Sequence, residues 1–263
     1  MKLRMIRVVL DGEEAPHFTV SKAFEQQFDV IETIWWQQYA DKKQMNKVLE
    51  ASVMVEKPDV VFMQIQQEGV IFPQTVRNIS QTAIVMNWTG DVRSDINWYI
   101  ELSRAGAVSL FTNYTDVEKV RKLGLKADYL QIGYDHMYYY PKPEHIKHHN
   151  IVFCGNYYPE HNFPLTNQRV QAVHALKKEF GDGFNLYGGH NWKNIQLYPE
   201  CPAGNEAEAD VYNSCSIAIS ISHFDYNRYY SDRLLRELAC GAFVLSHRFQ
   251  DCELEFQDGV HLV

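Results

Sequence analysis

One stretch near the end of the chain, YYSDRLLRELACGAFVLS at residues 229–246, decides the fold. Ser231 or Asp232 can cap a helix, and Gly241 can end it because glycine adopts the left-handed conformation without a Cβ penalty. Residues 242–245 then run apolar, as a central parallel strand does. The capped helix end presents unpaired N–H groups and a positive dipole, which suit an anion such as a diphosphate. An ordinary amphipathic crossover helix fits the same local pattern.

The rest of the chain alternates short apolar strands with helical segments, which predicts parallel, doubly wound α/β sheets. The alternation restarts after a Pro-rich, basic stretch that includes Pro141 and Pro143. We therefore expect two Rossmann-like doubly wound parallel-sheet domains facing across a cleft. The predicted organisation is an acceptor-side domain at residues 1–140, a solvated linker at 141–150 and a donor domain at 151–263. Strands are expected at 5–10, 29–34, 60–64, 83–87, 107–111, 128–132, 151–154 and 184–187, and helices at 15–27 and 41–56.

Composition narrows the class of protein. The chain has 263 residues and 46% hydrophobic content, enough for two modest domains, and its formal net charge of −8 argues against a nucleic-acid backbone as the chief partner. No apolar run is long enough to span a bilayer and no signal-peptide pattern is present, so cytoplasmic residence is expected. The five cysteines lack metal-site spacing and predict neither zinc nor disulfides.

Several segments resemble the donor half of GT-B glycosyltransferases, in the group 1, family 4-like type that includes spore-maturation-like proteins. Residues 229–246, followed by an acidic segment at 253–263, match the family's Ser-x-Arg, apolar helix, Ala-Cys-Gly-Gly/Ala and apolar strand. Residues 151–156 resemble the strand and glycine turn that open its second domain, and residues 184–192 its Tyr-Gly-x-x-Trp. The resemblance covers roughly residues 105–263 well and the first hundred only in general organisation.

The resemblance implies an enzyme that moves a sugar from a nucleoside diphosphate sugar, UDP or GDP linked, to an acceptor hydroxyl. It also implies that no metal or cofactor is needed, since this group stabilises the leaving diphosphate with a helix dipole and basic side chains, and the chain has no Asp-x-Asp motif. The donor-binding residues implied are Gly155, Asn156, Tyr187, Gly188, His190, Arg228, Tyr230, Ser231, Asp232, Arg233, Arg236 and Glu237.

The chain departs from family 4 at two positions. Members carry two glutamates eight positions apart, where this chain has Arg228 and Arg236. Glu237 is adjacent, but a one-residue shift rotates a helical side chain by roughly 100°. Either Glu237 substitutes with an altered helix register, or the arginine pair grips phosphate. Other interpretations are a protein that binds sugar or nucleotide without catalysis, and a sugar-nucleotide epimerase or hydrolase.

Asp91 is the predicted acceptor-side base, because its loop follows a strand of the first domain and an inverting transfer needs a base near the acceptor hydroxyl. Its competitors are His190, Glu14 and Asp135. The acceptor itself is not predicted. Family members normally continue past residues 259–263 with further helices, so a homodimer could cover apolar surface left there.

Overall fold

A computed structural model of the chain describes residues 1–10, 18–147, 149–159, 161, 163–202 and 204–263. They divide into two compact units, Met1–Gln131 and Ile132–Val263, named unit 1 and unit 2 below. Each unit has its own parallel sheet with helices between the strands. The predicted pair of Rossmann-like α/β domains is confirmed at this level.

Unit 1 contains a sheet of six described strands in the order β2-β1-β3-β4-β5-β6, all parallel. The order reverses between β1 and β3, as doubly wound folds do at the point where ligands commonly bind. The strands are β1 (Arg4–Val9), β2 (Asp29–Trp35), β3 (Val60–Met63), β4 (Ile84–Trp88), β5 (Val108–Phe111) and β6 (Ala127–Tyr129). The helices are α1 (Phe18–Gln27), α2 (Lys42–Glu56), α3 (Pro73–Ile79), α4 (Asn97–Arg104) and α5 (Tyr114–Lys122).

Local sequence explains the elements of unit 1. All four residues of β3 are buried, as expected for a central strand covered on both faces. Helix α2 begins after Asp41, whose side chain accepts a hydrogen bond from the backbone N–H of Lys43. It buries Met45, Leu49 and Val53 against the sheet. The predicted helix start at Ala15 lies outside the described residues.

Unit 2 contains a sheet of four described strands in the order β10-β9-β7-β8, again parallel. Alternate residues of β7 belong to two apolar clusters: Val152 packs with helices α7 and α8, and Phe153 with α6. Helices therefore cover both faces of this sheet. The strands are β7 (His149–Cys154), β8 (Phe184–Tyr187), β9 (Cys215–Ser220) and β10 (Phe243–Ser246), and the helices are α6 (Thr166–Phe180), α7 (Gly204–Ser214) and α8 (Asp232–Ala239).

Residues of the predicted linker at 141–150 contact helix α7, whereas a solvated linker was expected. Unit 2 already begins at Ile132. Lys142 Nζ lies 2.6 Å from Asp210 Oδ1 on α7, and Lys147 Nζ donates to the carbonyl of Asn213 at 2.9 Å. These lysines find their acceptors in the C-terminal half of α7, so the segment packs on unit 2. His148 lies outside the described residues.

The longest helices described, α2 and α6, have 15 residues each. In the part of the chain that the structure covers, no helix combines the length and the apolar character needed to cross a membrane.

Candidate functional site

The loops that follow β7 and β8 are joined to each other at the carboxyl edge of the unit 2 sheet. Gly155 N donates to the Tyr187 carbonyl at 2.8 Å. Gly189 N donates to Asn156 Oδ1, also at 2.8 Å. In open α/β sheets ligands bind at this edge. The structure thus brings Gly155, Asn156 and Tyr187 of the predicted donor site together.

Gly188 and Gly155 approach each other so closely that a side chain is excluded. Gly188 has φ +155°, and a Cβ there would lie 2.1 Å from the Gly155 carbonyl oxygen. The same oxygen accepts a hydrogen bond from Trp192 Nε1 at 2.8 Å. Glycine is required because backbone meets backbone, with the Trp192 indole fixing the contact.

Both predicted capping residues, Ser231 and Asp232, cap the start of α8. Ser231 Oγ and Asp232 Oδ1 accept from the backbone N–H of Arg233 at 3.4 Å and 3.0 Å. Ser231 N in turn donates to Ser222 Oγ at 3.0 Å, which ties the helix start to the loop after β9. Burial would raise the pKa of Asp232, but the guanidinium groups of Arg236 and Arg233 hold it below its usual value.

Arg233 is the basic side chain of α8 that is left available. Its guanidinium makes no hydrogen bond or salt bridge with any residue in the described ranges. Burial alone would lower the pKa of Arg233, but Asp232, Tyr212 and Glu237 raise it above its usual value. Arg233 therefore carries a fixed positive charge at the helix start.

Arg169 on α6 is a site residue that the sequence prediction missed. Its side chain is buried, Nη2 donates to the Asn156 carbonyl at 2.9 Å, and Nη1 donates to the Ile221 carbonyl. Burial, with Arg233 next in effect, lowers the pKa of Arg169 to about 9. Arg169 thus joins the loops after β7 and β9 and brings a second positive charge close to Arg233.

Arg228 and Arg236, by contrast, are held in ion pairs. Arg236 bridges Glu208 at 3.1 Å and Asp232 at 2.7 Å. Arg228 Nε pairs with Glu255 Oε1 at 2.8 Å, and Tyr230 donates to Glu255 Oε2 at 2.6 Å. Arg228 and Arg236 could bind a phosphate only if these ion pairs were broken. In this structure Arg228, Tyr230 and Arg236 instead stabilise the loop before α8 and α8 itself.

Glu237 lies on the buried face of α8. It is 1% exposed, and burial raises its pKa to about 8 against the opposing effects of Arg233 and Ser220. Its carboxylate therefore does not reach an open surface where it could contact a ribose, as the altered-register hypothesis requires.

Tyr187 is also buried, which raises its pKa to about 12. His190 is exposed and begins a 3₁₀ helix that ends at Ile195.

The predicted base, Asp91, follows β4 in unit 1 and is exposed. Its Oδ1 accepts from the backbone N–H of Val92 at 2.8 Å. Nearby, Gln66 Nε2 donates to the Thr89 carbonyl and Gln66 Oε1 accepts from Arg93. Among the competitors, Asp135 caps a turn by accepting from Met137 N at 2.9 Å, and Glu14 lies outside the described residues.

Comparison with known proteins places this geometry in a familiar fold. Residues 168–263 match the family model described as glycosyl transferase-like. The crystal structure of Anabaena Alr3699/HepE in complex with UDP and glucose superposes with a TM-score of 0.62 at 10% identity, covering 98% of this chain and 84% of that one. The fold is GT-B. No curated protein sequence matches the chain.

Two further solved structures share this GT-B arrangement. A glycosyltransferase from Rickettsia africae ESF-5 has a TM-score of 0.59 at 10% identity and covers 95% of this chain and 80% of its own. The lipopolysaccharide outer core galactosyltransferase WaaB, in its apo form, has a TM-score of 0.62 at 9% identity, with 99% and 86% covered. Residues 168–263 thus match a glycosyl transferase-like model within a chain of GT-B fold, and the spore-maturation-like branch stays a prediction.

Proposed function

We propose that this protein is a glycosyltransferase that moves a sugar from a nucleoside diphosphate sugar, UDP or GDP linked, to an acceptor hydroxyl. The observation that carries the proposal is the capped start of α8 at the sheet edge, with an Arg233 guanidinium that makes no salt bridge or hydrogen bond in the described residues. The glycosyltransferase-like match over residues 168–263 supports it, and the HepE structure is one of a related fold that holds UDP.

The diphosphate would sit where positive groups converge. The α8 N-terminus supplies N–H groups and dipole, Arg233 supplies a full charge, and Arg169 keeps the loops after β7 and β9 in place. Stabilising the charge that develops on the departing diphosphate is the main task of such a site. The predicted independence from metal ions follows if these groups suffice.

Asp91 is our candidate for the base on the acceptor side. Its carboxylate is exposed, and its Oδ1 accepts the loop hydrogen bond from Val92 N, which orients the side chain. The change Asp91→Asn is expected to lower turnover by about 10²-fold or more while leaving nucleotide affinity unchanged. Nucleotide titrations and initial rates measured on the same preparation check both halves of this expectation.

The first test is a thermal-shift panel of UDP, GDP, ADP, CMP and TDP, each with and without magnesium. A ligand present at a hundred times its Kd stabilises the fold by about 2.7 kcal/mol, which appears as a shift of several degrees. We expect one diphosphate to stabilise the protein equally with and without magnesium. No shift with any nucleotide would contradict the proposed donor site.

The second test removes the available charge on α8. Arg233→Ala should weaken binding of the stabilising nucleotide by roughly 1.5 to 3 kcal/mol, the range for a hydrogen bond to a charged group. Arg77→Ala is the matched control, because Arg77 is exposed on α3 of unit 1 and its side chain hydrogen-bonds only Gln74 in the described structure. Equal affinity in both variants would remove Arg233 from the site.

Product analysis separates transfer from the alternatives. A transferase consumes the sugar nucleotide only when an acceptor is present, whereas a hydrolase or epimerase changes it alone, and a binding protein leaves it intact. Arg228 and Arg236 occupy the positions where family 4 members carry glutamates, and both are ion-paired here. The test therefore includes the alternative that the protein binds the sugar nucleotide without catalysis. Cytoplasmic residence and a homodimer stay predictions.

A further inference from the structure

His223 follows β9 and stands beside the two arginines of the candidate donor site. Its ring packs against Tyr158 and Phe163, with ring centroids 5.3 Å and 4.9 Å apart. Its backbone carbonyl accepts from Leu165 N at 3.1 Å, which fixes the residue in the loop. The residue is only partly buried.

One nitrogen of the His223 imidazole lacks a hydrogen-bond partner among the described residues. Nδ1 is buried and has no hydrogen-bond partner in the part of the chain described. Burial, followed by the charges of Arg169 and Arg233, lowers the pKa of His223 to about 3, so the ring is neutral near neutral pH. A neutral ring near two cations, packed against aromatic rings, is the arrangement expected if the site is completed by an anion.

The groups around this ring come from several elements. None of those in the described residues is a carboxylate bonded to the imidazole, so an incoming anion would be the first negative charge in direct contact with it. Those in contact or in electrostatic interaction with it are Arg169 on α6, Arg233 on α8, and Tyr158 and Phe163 in the segment after β7. One step further away, His161 stacks on Phe163, Tyr229 acts on Arg169, Asp225 acts on His247, and His247 Nδ1 accepts from Ser222 N.

We propose that His223 hydrogen-bonds the diphosphate of the nucleotide and takes up one proton from solvent as the diphosphate binds. This inference rests on the proposed function, because it requires a diphosphate in that site. The proton adds to a neutral ring nitrogen and no covalent bond to the ligand forms. The site then holds three cationic groups with the ligand and two without it.

The sign of the pH effect follows from linkage. An opposite charge within about 4–6 Å raises the pKa of a histidine by roughly 1–3 units, and a diphosphate brings more than one such charge. A group whose pKa rises on binding strengthens binding as the pH falls through the bound-state pKa. A rise of about 3 units brings the pKa of His223 from about 3 to about 6 in the complex. Nucleotide affinity, relative to a variant without the imidazole, should therefore increase about 2-fold between about pH 8 and about pH 6.

The experiment is calorimetric titration of UDP and of GDP into the full chain at about pH 6 and about pH 8, in buffers of different ionisation enthalpy. His223→Gln keeps a neutral hydrogen-bonding side chain, and His223→Asn is a second version of the same change. His174→Gln is the matched control, since His174 is exposed on α6. The nucleotide's own phosphate titrates near pH 6 and contributes equally to every variant, so only differences between variants are interpreted.

We expect wild type and His174→Gln to take up on the order of half a proton more than the His223 variants at about pH 6. NMR titration of the His223 ring in the wild-type protein is the second readout, and its pKa should rise when UDP or GDP is added. Binding with the same proton count in all variants, or an unmoved ring pKa, overturns the inference and leaves the donor site intact. Absence of binding at either pH overturns the proposed function as well.

Discussion

The two sheets of this protein carry different side chains at the edge where their strands end. In unit 1, Gln66 after β3 hydrogen-bonds the loop after β4 and also accepts a hydrogen bond from Arg93. Asp91 is exposed in the same loop, so this edge carries both a positive and a negative side chain. In unit 2 the corresponding loops meet Arg169 and Arg233, which have no carboxylate bonded to them in the described residues. Similar β/α frameworks thus carry different charges at this edge, and the cationic edge of unit 2 suits a diphosphate.

The largest expected effect comes from the backbone contact in unit 2. Gly188→Ala places a Cβ against the Gly155 carbonyl oxygen at a φ that only glycine adopts easily, and neither partner is a flexible side chain. We expect the free energy of unfolding to fall by at least about 2 kcal/mol and nucleotide binding to be lost. Denaturant unfolding and a nucleotide titration measure the two quantities.

Gly124→Ala in unit 1 is the control for that substitution. Gly124 also has positive φ, at +73°, but a Cβ at this position would have no neighbouring atom within 4 Å. Its cost should be limited to the left-handed conformation, about 1 to 2 kcal/mol, with nucleotide affinity unchanged. Equal losses of stability in both variants would contradict the importance of the Gly188 to Gly155 contact.

The next prediction compares Arg169 at the unit 2 edge with Arg93 at the unit 1 edge. Arg169→Lys keeps the charge but loses the planar fork that reaches the Asn156 and Ile221 carbonyls, so stability should fall by about 1.5 to 3 kcal/mol and nucleotide affinity should fall with it. Arg93→Lys in unit 1 should change stability less and leave nucleotide affinity as it is. A drop in affinity for Arg93→Lys, but not for Arg169→Lys, would reverse our assignment of the two edges.

A further effect, smaller per pH unit than the losses above, appears in the pH dependence of stability. Because the pKa of Glu237 is about 8 in the folded protein against 4.5 for an ordinary glutamate, the folded state keeps a proton that the unfolded state has lost between those pH values. The free energy of unfolding should therefore decrease as the pH rises from about 4.5 to about 8, by at most about 1.4 kcal/mol per pH unit.

Glu237→Gln should flatten that slope, since glutamine does not ionise. Glu118→Gln is the control, because Glu118 is exposed on α5 of unit 1, and it should retain the wild-type slope. Urea unfolding at several pH values measures both. A slope that persists in Glu237→Gln would assign it to another group.

The sequence predicted the parts of this structure that depend on neighbours along the chain. Ser231, Asp232 and Gly241 indicated the limits of α8, and the apolar run after it indicated β10, because caps and strands are local features. Arg169 was missed because a lone arginine in an amphipathic helix has no local signature, and its partners are carbonyls of distant loops. Glu208 was missed because the acidic sequence of α7 is typical of a solvated face, although here it pairs with Arg236.

Binding of a nucleoside diphosphate at the unit 2 edge is the central claim, and hydrogen–deuterium exchange with and without UDP or GDP tests it most directly. We predict slower exchange at residues 155–158, 188–190 and 222–235, and unchanged exchange in the unit 1 loops at 64–69 and 111–114. Protection confined to the unit 1 loops, or no protection in unit 2 at a nucleotide concentration that saturates binding, would contradict the claim.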